Sequence, residues 1–87
     1  MSNRNAYLVK KYGITEKQYD FMLCAQDGGC WICGSTPKKR RLHVDHNHKT
    51  GAVRGLLCMR CNRGLQFFSD DAKRLANAAE YIRKGGA

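Results

Sequence analysis

The sequence predicts a small α+β fold held together by zinc, with a β-hairpin flanked by helices. Three observations predict it. A chain of 87 residues buries too little apolar surface to be secure on packing alone. Its five cysteines, Cys24, Cys30, Cys33, Cys58 and Cys61, include two Cys-x-x-Cys pairs separated by 24 residues. Arg41 to Asp45 alternates as a strand does and Ala52 to Leu57 reads as its returning partner, whereas helical spacing appears before the first knuckle and after the second.

The elements follow in order. Ser2 or Asn5 caps a first short helix through Tyr7, Leu8 and Tyr12, and Gly13 ends it in a left-handed conformation. Thr15 and Gln18 form a capping box for a second helix with Tyr19, Met22 and Leu23, which Asp27-Gly28-Gly29 stops. The two helices are expected to form an antiparallel pair over residues 5–27, with Cys24 in the core on the apolar face of the second. The first knuckle is Cys30-Trp31-Ile32-Cys33-Gly34, whose glycine permits the tight turn around a metal. Ser35 to Lys39 read as loop. The strand Arg41-Leu42-His43-Val44-Asp45, a turn over Asn47 to Gly51 and a returning strand Ala52 to Leu57 follow. The second knuckle opens a helix through Asn62, Leu65 and Phe68 and closes a zinc and hairpin core over residues 28–68. Ser69 caps a last helix over 69–84, with Leu75, Ala79 and Ile82 on one face before Gly85-Gly86. Trp31, Phe67 and Phe68 are expected to pack around the knuckles. Residues 1–87 thus read as one domain, without repeats or low-complexity linkers.

The cysteines identify the metal. Tetrahedral zinc takes four thiolates, and each Cys-x-x-Cys turn presents two sulfurs to one ion while the spacer loops out between them. Two disulfides are the rival reading. A reducing compartment and an odd fifth cysteine weigh against it, which leaves Cys30, Cys33, Cys58 and Cys61 as a structural zinc site. Zinc affinity in such small modules is folding free energy, so the metal replaces the missing core.

Composition points to the partner. Sixteen Lys+Arg stand against seven Asp+Glu, a formal charge of +9, which favours a polyanion because each neutralised phosphate releases condensed counterions. The arithmetic excludes a large enzyme core, a Rossmann-type cofactor domain and a membrane span, and the N-terminus lacks the apolar core of a signal peptide. An intracellular protein is expected.

Between the knuckles lies His43-Val44-Asp45-His46-Asn47-His48, which holds all three histidines. With thiolates filling the zinc sphere, these groups suit a second site. Asp45 suits a hard divalent ion such as Mg²⁺ or Mn²⁺, and a neighbouring histidine can deprotonate water for attack on phosphorus. Asn62, just after the last thiolate, can offer its amide oxygen to the same ion, so strand and helix would bring Asp45, His46 and Asn62 together. Each residue also has a structural reading: Asp45-His46 as a turn pair, Asn62 as a helix-start residue, and His43 and His48 as hydrogen-bonded structural side chains.

These residues carry a resemblance. The run Tyr12-Gly13-Ile14-Thr15, Cys30-Trp31-Ile32-Cys33, Leu42-His43-Val44-Asp45-His46-Asn47-His48, Gly51-Ala52-Val53-Arg54-Gly55-Leu56-Leu57-Cys58 and Cys61-Asn62 resembles the phage recombination endonuclease VII family. That family is one of the HNH, or His-Me finger, nucleases, with a ββα-metal fold, and the likeness covers roughly residues 6–68. It implies metal-dependent hydrolysis of a DNA phosphodiester inside the cell, the host cytoplasm for a phage-encoded protein. It further implies that Asp45 and Asn62 bind the catalytic Mg²⁺ or Mn²⁺, that His46 is the general base, and that His43 and His48 assist the scissile phosphate or leaving group. The asparagine that braces the base's loop in the broader HNH pattern is replaced around Val53-Arg54, so His46 needs another means of orientation. Junction-resolving relatives have a further C-terminal region and a large dimer surface. The present length therefore favours a nicking or weakly sequence-specific endonuclease acting on double-stranded DNA, while branched DNA and a homodimer stay open.

The remaining cations are assigned to DNA. Lys38-Lys39-Arg40-Arg41 leads into the first strand, and four like charges in a row repel unless an anion lies against them. Lys49, Arg54, Arg60 and Arg63 flank the histidine segment and are the next candidates for phosphate contacts, which position a duplex without reading its sequence. The alternative function is a non-catalytic, zinc-stabilised nucleic-acid-binding module. A thiol-disulfide oxidoreductase ranks below both, since the two Cys-x-x-Cys pairs lack a thioredoxin-like βαβ context.

Overall fold

The computed structural model describes residues 3–37 and 39–86. Among the described residues, four helices and a two-stranded sheet follow in the order α1 (Asn3–Tyr12), α2 (Glu16–Ala25), β1 (His43–His46), β2 (Val53–Leu57), α3 (Met59–Phe67) and α4 (Ala72–Lys84), and α2 and α3 pack on the sheet. The small α+β architecture therefore stands as the sequence predicts.

Local chemistry explains most boundaries. Gly13 ends α1 with φ +75°, its N–H donating to the carbonyls of Leu8 and Val9. Thr15 and Gln18 form the capping box: the Thr15 hydroxyl accepts from Gln18 N, and the Gln18 side chain accepts from Thr15 N. Asn5 lies inside α1 and is not its cap. Its side chain crosses to α2, where Oδ1 accepts from Glu16 N at 2.7 Å and satisfies a first-turn N–H. Ser2, the other expected cap, lies outside the described residues. Ser69 does not cap α4 either. Ser69 and Asp70 both take left-handed φ angles, 57° and 54°, and Asp71 is the cap, accepting from Arg74 N.

The core is narrow. Leu8, Tyr19, Cys30, Leu42, Val44, Leu56 and Leu57 are its buried apolar members among the described residues. Tyr19 anchors it, its hydroxyl donating to Leu42 O at 2.6 Å and the Arg4 guanidinium lying 4.3 Å over its ring. Helices α3 and α4 contain no buried residue. Several apolar side chains expected inside lie outside: Cys24 is exposed, as are Trp31, Phe67 and Phe68. Helical spacing places Cys24 away from the narrow stripe of α2 that carries Tyr19 inward, and the knuckle aromatics have too little structure around them to be covered.

Strands β1 and β2 pair antiparallel, His43 with Leu57, Val44 with Leu56 and Asp45 with Gly55, but His46 then pairs with Val53. Arg54 is thus an extra residue in β2. Such a bulge breaks the alternation that would set residue 54 opposite in facing to Gly55, and it re-aims the side chain. The connecting turn is organised by Asn47, whose Oδ1 accepts from Lys49 N at 2.8 Å and Thr50 N at 3.1 Å.

The outer edge of β2 is closed by a side chain. Gln26 Oε1 accepts from Leu56 N and Gln26 Nε2 donates to Leu56 O, each at 3.0 Å, with a further bond to Gly29 O at 2.8 Å. One amide therefore imitates a third strand and keeps the edge from pairing with another chain. Gln26→Leu would leave the N–H of fully buried Leu56 unpaired, at a cost of about 1–3 kcal/mol. Chemical denaturation of the zinc-loaded variant should show this loss; a midpoint equal to wild type would refute it.

Candidate metal centre and active site

Two loops deliver the four thiols. In the first knuckle Cys30 N donates to Ser35 O at 2.9 Å and Gly34 N to Cys30 O at 2.8 Å, with Gly34 at φ +75°. Gly29 is equally constrained, because a Cβ there would collide with the Gly34 carbonyl. In the second, Cys58 is the N-cap of α3 and its Sγ accepts from Cys61 N at 3.4 Å. The ligand sulfurs of Cys30, Cys33, Cys58 and Cys61 all lie within 4.8 Å of one another. The Cys33 and Cys58 sulfurs are 3.8 Å apart, close to the roughly 3.8 Å edge of a tetrahedron with Zn–S bonds near 2.3 Å. The residues present therefore fit zinc in both chemistry and spacing.

The thiols are not equivalent. Hydrogen bonds from the Ser35 side chain and backbone lower the Cys33 thiol to about 6. Burial opposes ionisation of Cys30, but bonds from the Cys33, Cys58 and Ile32 backbone outweigh it and lower its pKa. Burial and the three neighbouring sulfurs push Cys61 well above the ordinary thiol range. Loading zinc into such a cluster releases thiol protons.

The second constellation centres on Asp45, which is 6% exposed. The bulge brings Arg54 onto it, with Arg54 Nε 2.8 Å from Oδ2 and Nη2 3.2 Å from Oδ1. The same guanidinium grips Asp70 through Nη1 at 3.1 Å and Nη2 at 2.8 Å. Bonds from Asp70 and then Asp45 raise the Arg54 pKa, and Arg54 in turn holds the Asp70 carboxyl below its usual range. Arg54, expected among the phosphate contacts, is thus committed to two carboxylates in this structure. Two carboxylates against one guanidinium still leave a local charge of −1. These carboxylate oxygens are hard donors of the kind Mg²⁺ or Mn²⁺ takes, but Arg54 engages both oxygens of Asp45, so an ion there would have to share or displace that contact.

The histidines are divided. His46, half-buried, lies with its ring 5.0 Å from that of His48 and 6.3 Å from that of Tyr12. These rings give His46 neighbours where the bracing asparagine is replaced. His48 and Lys49 line a hollow with Arg54, Gln66 and Asp70, whereas His43 faces a separate one beside Tyr12 and Tyr19. Asn62 is half-buried on α3, which packs on both strands. Among the described residues, the four cysteines are the one group of three or more His, Cys, Asp or Glu side chains close enough to share an ion.

The basic residues spread over the surface. Lys39, Arg40 and Arg41 are exposed around a hollow beside Pro37 and Leu42, and Arg40 Nη1 reaches Met59 Sδ at 3.9 Å. Arg60 and Arg63 are exposed on α3 and Lys49 on the hairpin turn. Lys38 lies outside the described residues. Sequence reasoning missed Asp70, Gln26 and Ser35. Asp70 reaches the site only through the left-handed turn at Ser69-Asp70, which carries no glycine to announce it.

A family profile described as recombination endonuclease VII matches residues 5–84. The chain belongs to the recombination endonuclease VII family. It is 43% identical over 79 residues to the Gene 59 protein of Mycobacterium phage D29, covering 88% of this chain and 48% of that protein. It is 44% identical over 77 residues to the Gene 59 protein of Mycobacterium phage L5, covering 86% of this chain and 47% of that one. The chain therefore spans about half the length of these curated relatives. No solved structure matches it. Among the described residues, no helix is long and apolar enough to cross a membrane. Membership in a nuclease family and the four-cysteine cluster agree with the resemblance visible in the sequence.

Proposed function

We propose that residues 1–87 form a single HNH-type nuclease domain that hydrolyses DNA phosphodiester bonds with a divalent metal, nicking or cutting with weak sequence specificity in the cytoplasm of a phage-infected host. The observation that carries this reading is the family match over residues 5–84 with Asp45-His46 on the first strand of a hairpin and Asn62 on the helix packed against it. Strand, strand and helix in that order are what a ββα-metal site requires. The zinc held by Cys30, Cys33, Cys58 and Cys61 is structural, because four thiolates leave it no open position.

The chemistry follows from the side chains. Asp45 and Asn62 would hold Mg²⁺ or Mn²⁺, which when bound polarises a phosphate oxygen and stabilises the leaving oxygen. His46, in its neutral form, takes the proton from a water attacking in line. His43 and His48 assist at the phosphate or leaving group, and Lys38, Lys39, Arg40, Arg41, Lys49, Arg60 and Arg63 hold the backbone by charge. Arg54 orients the Asp45 carboxylate, and releasing Asp70 would free part of its fork for a phosphate. A non-catalytic, zinc-stabilised nucleic-acid-binding module is the second reading, favoured by one observation: Arg54 already engages both oxygens of Asp45.

Supercoiled plasmid separates the two. Zinc-loaded protein is expected to produce nicked circles when Mg²⁺ or Mn²⁺ is added and none when it is omitted. DNA binding should weaken steeply as salt rises. Binding without cleavage under every divalent ion would leave the non-catalytic module. A four-way junction substrate tests branched DNA, and sedimentation tests a homodimer.

A further inference from the structure

Trp31 is the single tryptophan of the chain and is 71% exposed, yet its backbone is firmly held. Its N–H donates to Leu56 O at 3.1 Å, and the knuckle hydrogen bonds fix the residues beside it. The indole leans on β2 at Gly55, where an added Cβ would lie 3.8 Å from Trp31 Cδ1, and Gly55 is the ladder partner of Asp45. Trp31, Ile32, Leu57 and Leu65 wall a hollow of about 270 Å³ whose polar boundary is Asp45 and Arg54. Here an aromatic face, apolar walls and the carboxylate of the proposed reaction lie within one concavity.

We propose that this hollow is a nucleobase subsite, in which an unstacked base beside the scissile phosphate stacks on the Trp31 indole. The inference rests on the DNA nuclease reading and names the part of the substrate that the site grips. Every base offers a π face, so stacking on an indole is sequence-tolerant, in keeping with weak sequence specificity. The surroundings suit this occupant. A chain of charge +9 attracts the phosphate backbone, and an apolar hollow with a charged rim matches the face of a base joined to its sugar-phosphate. Because a paired base is already stacked, the subsite favours single-stranded, nicked or distorted DNA, where unstacking costs least.

Trp31 reports on itself, since its fluorescence is uncontaminated by another indole. Zinc-loaded protein without Mg²⁺ or Mn²⁺ is titrated with a short single-stranded oligothymidine, with an oligonucleotide of the same length made wholly of abasic sites, and with inorganic polyphosphate. Emission is expected to be quenched by the first alone. Trp31→Ala should weaken oligothymidine binding about 5- to 150-fold, the worth of one stacked base, and Trp31→Phe should restore most of it. Equal quenching by the abasic strand, or unchanged binding by a zinc-loaded Trp31→Ala protein, would overturn the subsite. So would a shift of Trp31→Ala from dimer to monomer, which would assign the indole to a protein interface. These measurements need no cleavage, so a chain that fails the plasmid assay can still pass them.

Discussion

Zinc-loaded protein stripped by a chelator is expected to lose its cooperative thermal transition and most of its helical circular dichroism, and to regain both when zinc is returned. The reason lies in where the apolar surface is. Of the seven buried apolar core members among the described residues, Cys30 belongs to the four-cysteine cluster, and α3 and α4 bury none. Helix α3 is attached to the rest chiefly through Cys58 and Cys61 at its N-terminus and half-buried Leu65. Structural zinc contributes about 10–16 kcal/mol in apparent terms, as much as or more than the roughly 5–15 kcal/mol of an ordinary domain. Without it the balance favours the unfolded chain. Cys61→Ser should behave like chelated wild type, because a hydroxyl does not ionise to replace a thiolate. Cys24→Ser should behave like untreated wild type, because Cys24 is exposed and outside the cluster. Zinc binding expels thiol protons, so lowering the pH reverses loading and destabilises the fold. An unchanged melting curve after complete zinc removal would show that packing suffices.

Much of this arrangement is legible in the sequence because it depends on local chemistry. A capping box at Thr15 and Gln18, a left-handed glycine at Gly13 and two Cys-x-x-Cys turns each need only neighbouring residues to define them, and the structure contains all of them. The illegible parts are tertiary. Nothing near Gln26 says that its amide will complete the edge of a strand some thirty residues away, because a side chain that imitates a backbone has no periodicity. The Arg54 bulge is equally silent. Alternation alone would point residue 54 away from Asp45, and one unpaired residue reverses that. Ser69 looks like a cap by residue type, but the chain turns through two left-handed residues and hands the role to Asp71. Trp31 fails for another reason: apolar character forecasts burial only where enough structure surrounds the side chain.

Asp45→Asn and His46→Ala should each abolish most cleavage while leaving zinc content intact, and the two losses should differ in kind. Removing the base is expected to lower kcat about 10²- to 10⁴-fold, with the concentration of Mg²⁺ needed for half-maximal activity unchanged. Asp45→Asn removes the negative charge that a divalent ion requires, so added Mg²⁺ or Mn²⁺ should no longer raise the melting temperature. Arg54 sharpens the distinction, since it holds the same carboxylate that the proposed ion would bind. In Arg54→Gln the Asp45 carboxylate is left buried without its cation, a loss below the roughly 3–5 kcal/mol of a fully buried pair because the arginine side chain is 35% exposed. The variant should therefore melt below wild type in the absence of divalent ions. It should also gain more than wild type when Mg²⁺ is added, because the ion binds the native state and now meets no competitor. Equal Mg²⁺-dependent shifts in wild type and Arg54→Gln would mean that Arg54 and the ion do not share Asp45. If Asp45→Asn also kept its Mg²⁺ response, the catalytic ion would have to lie on other residues.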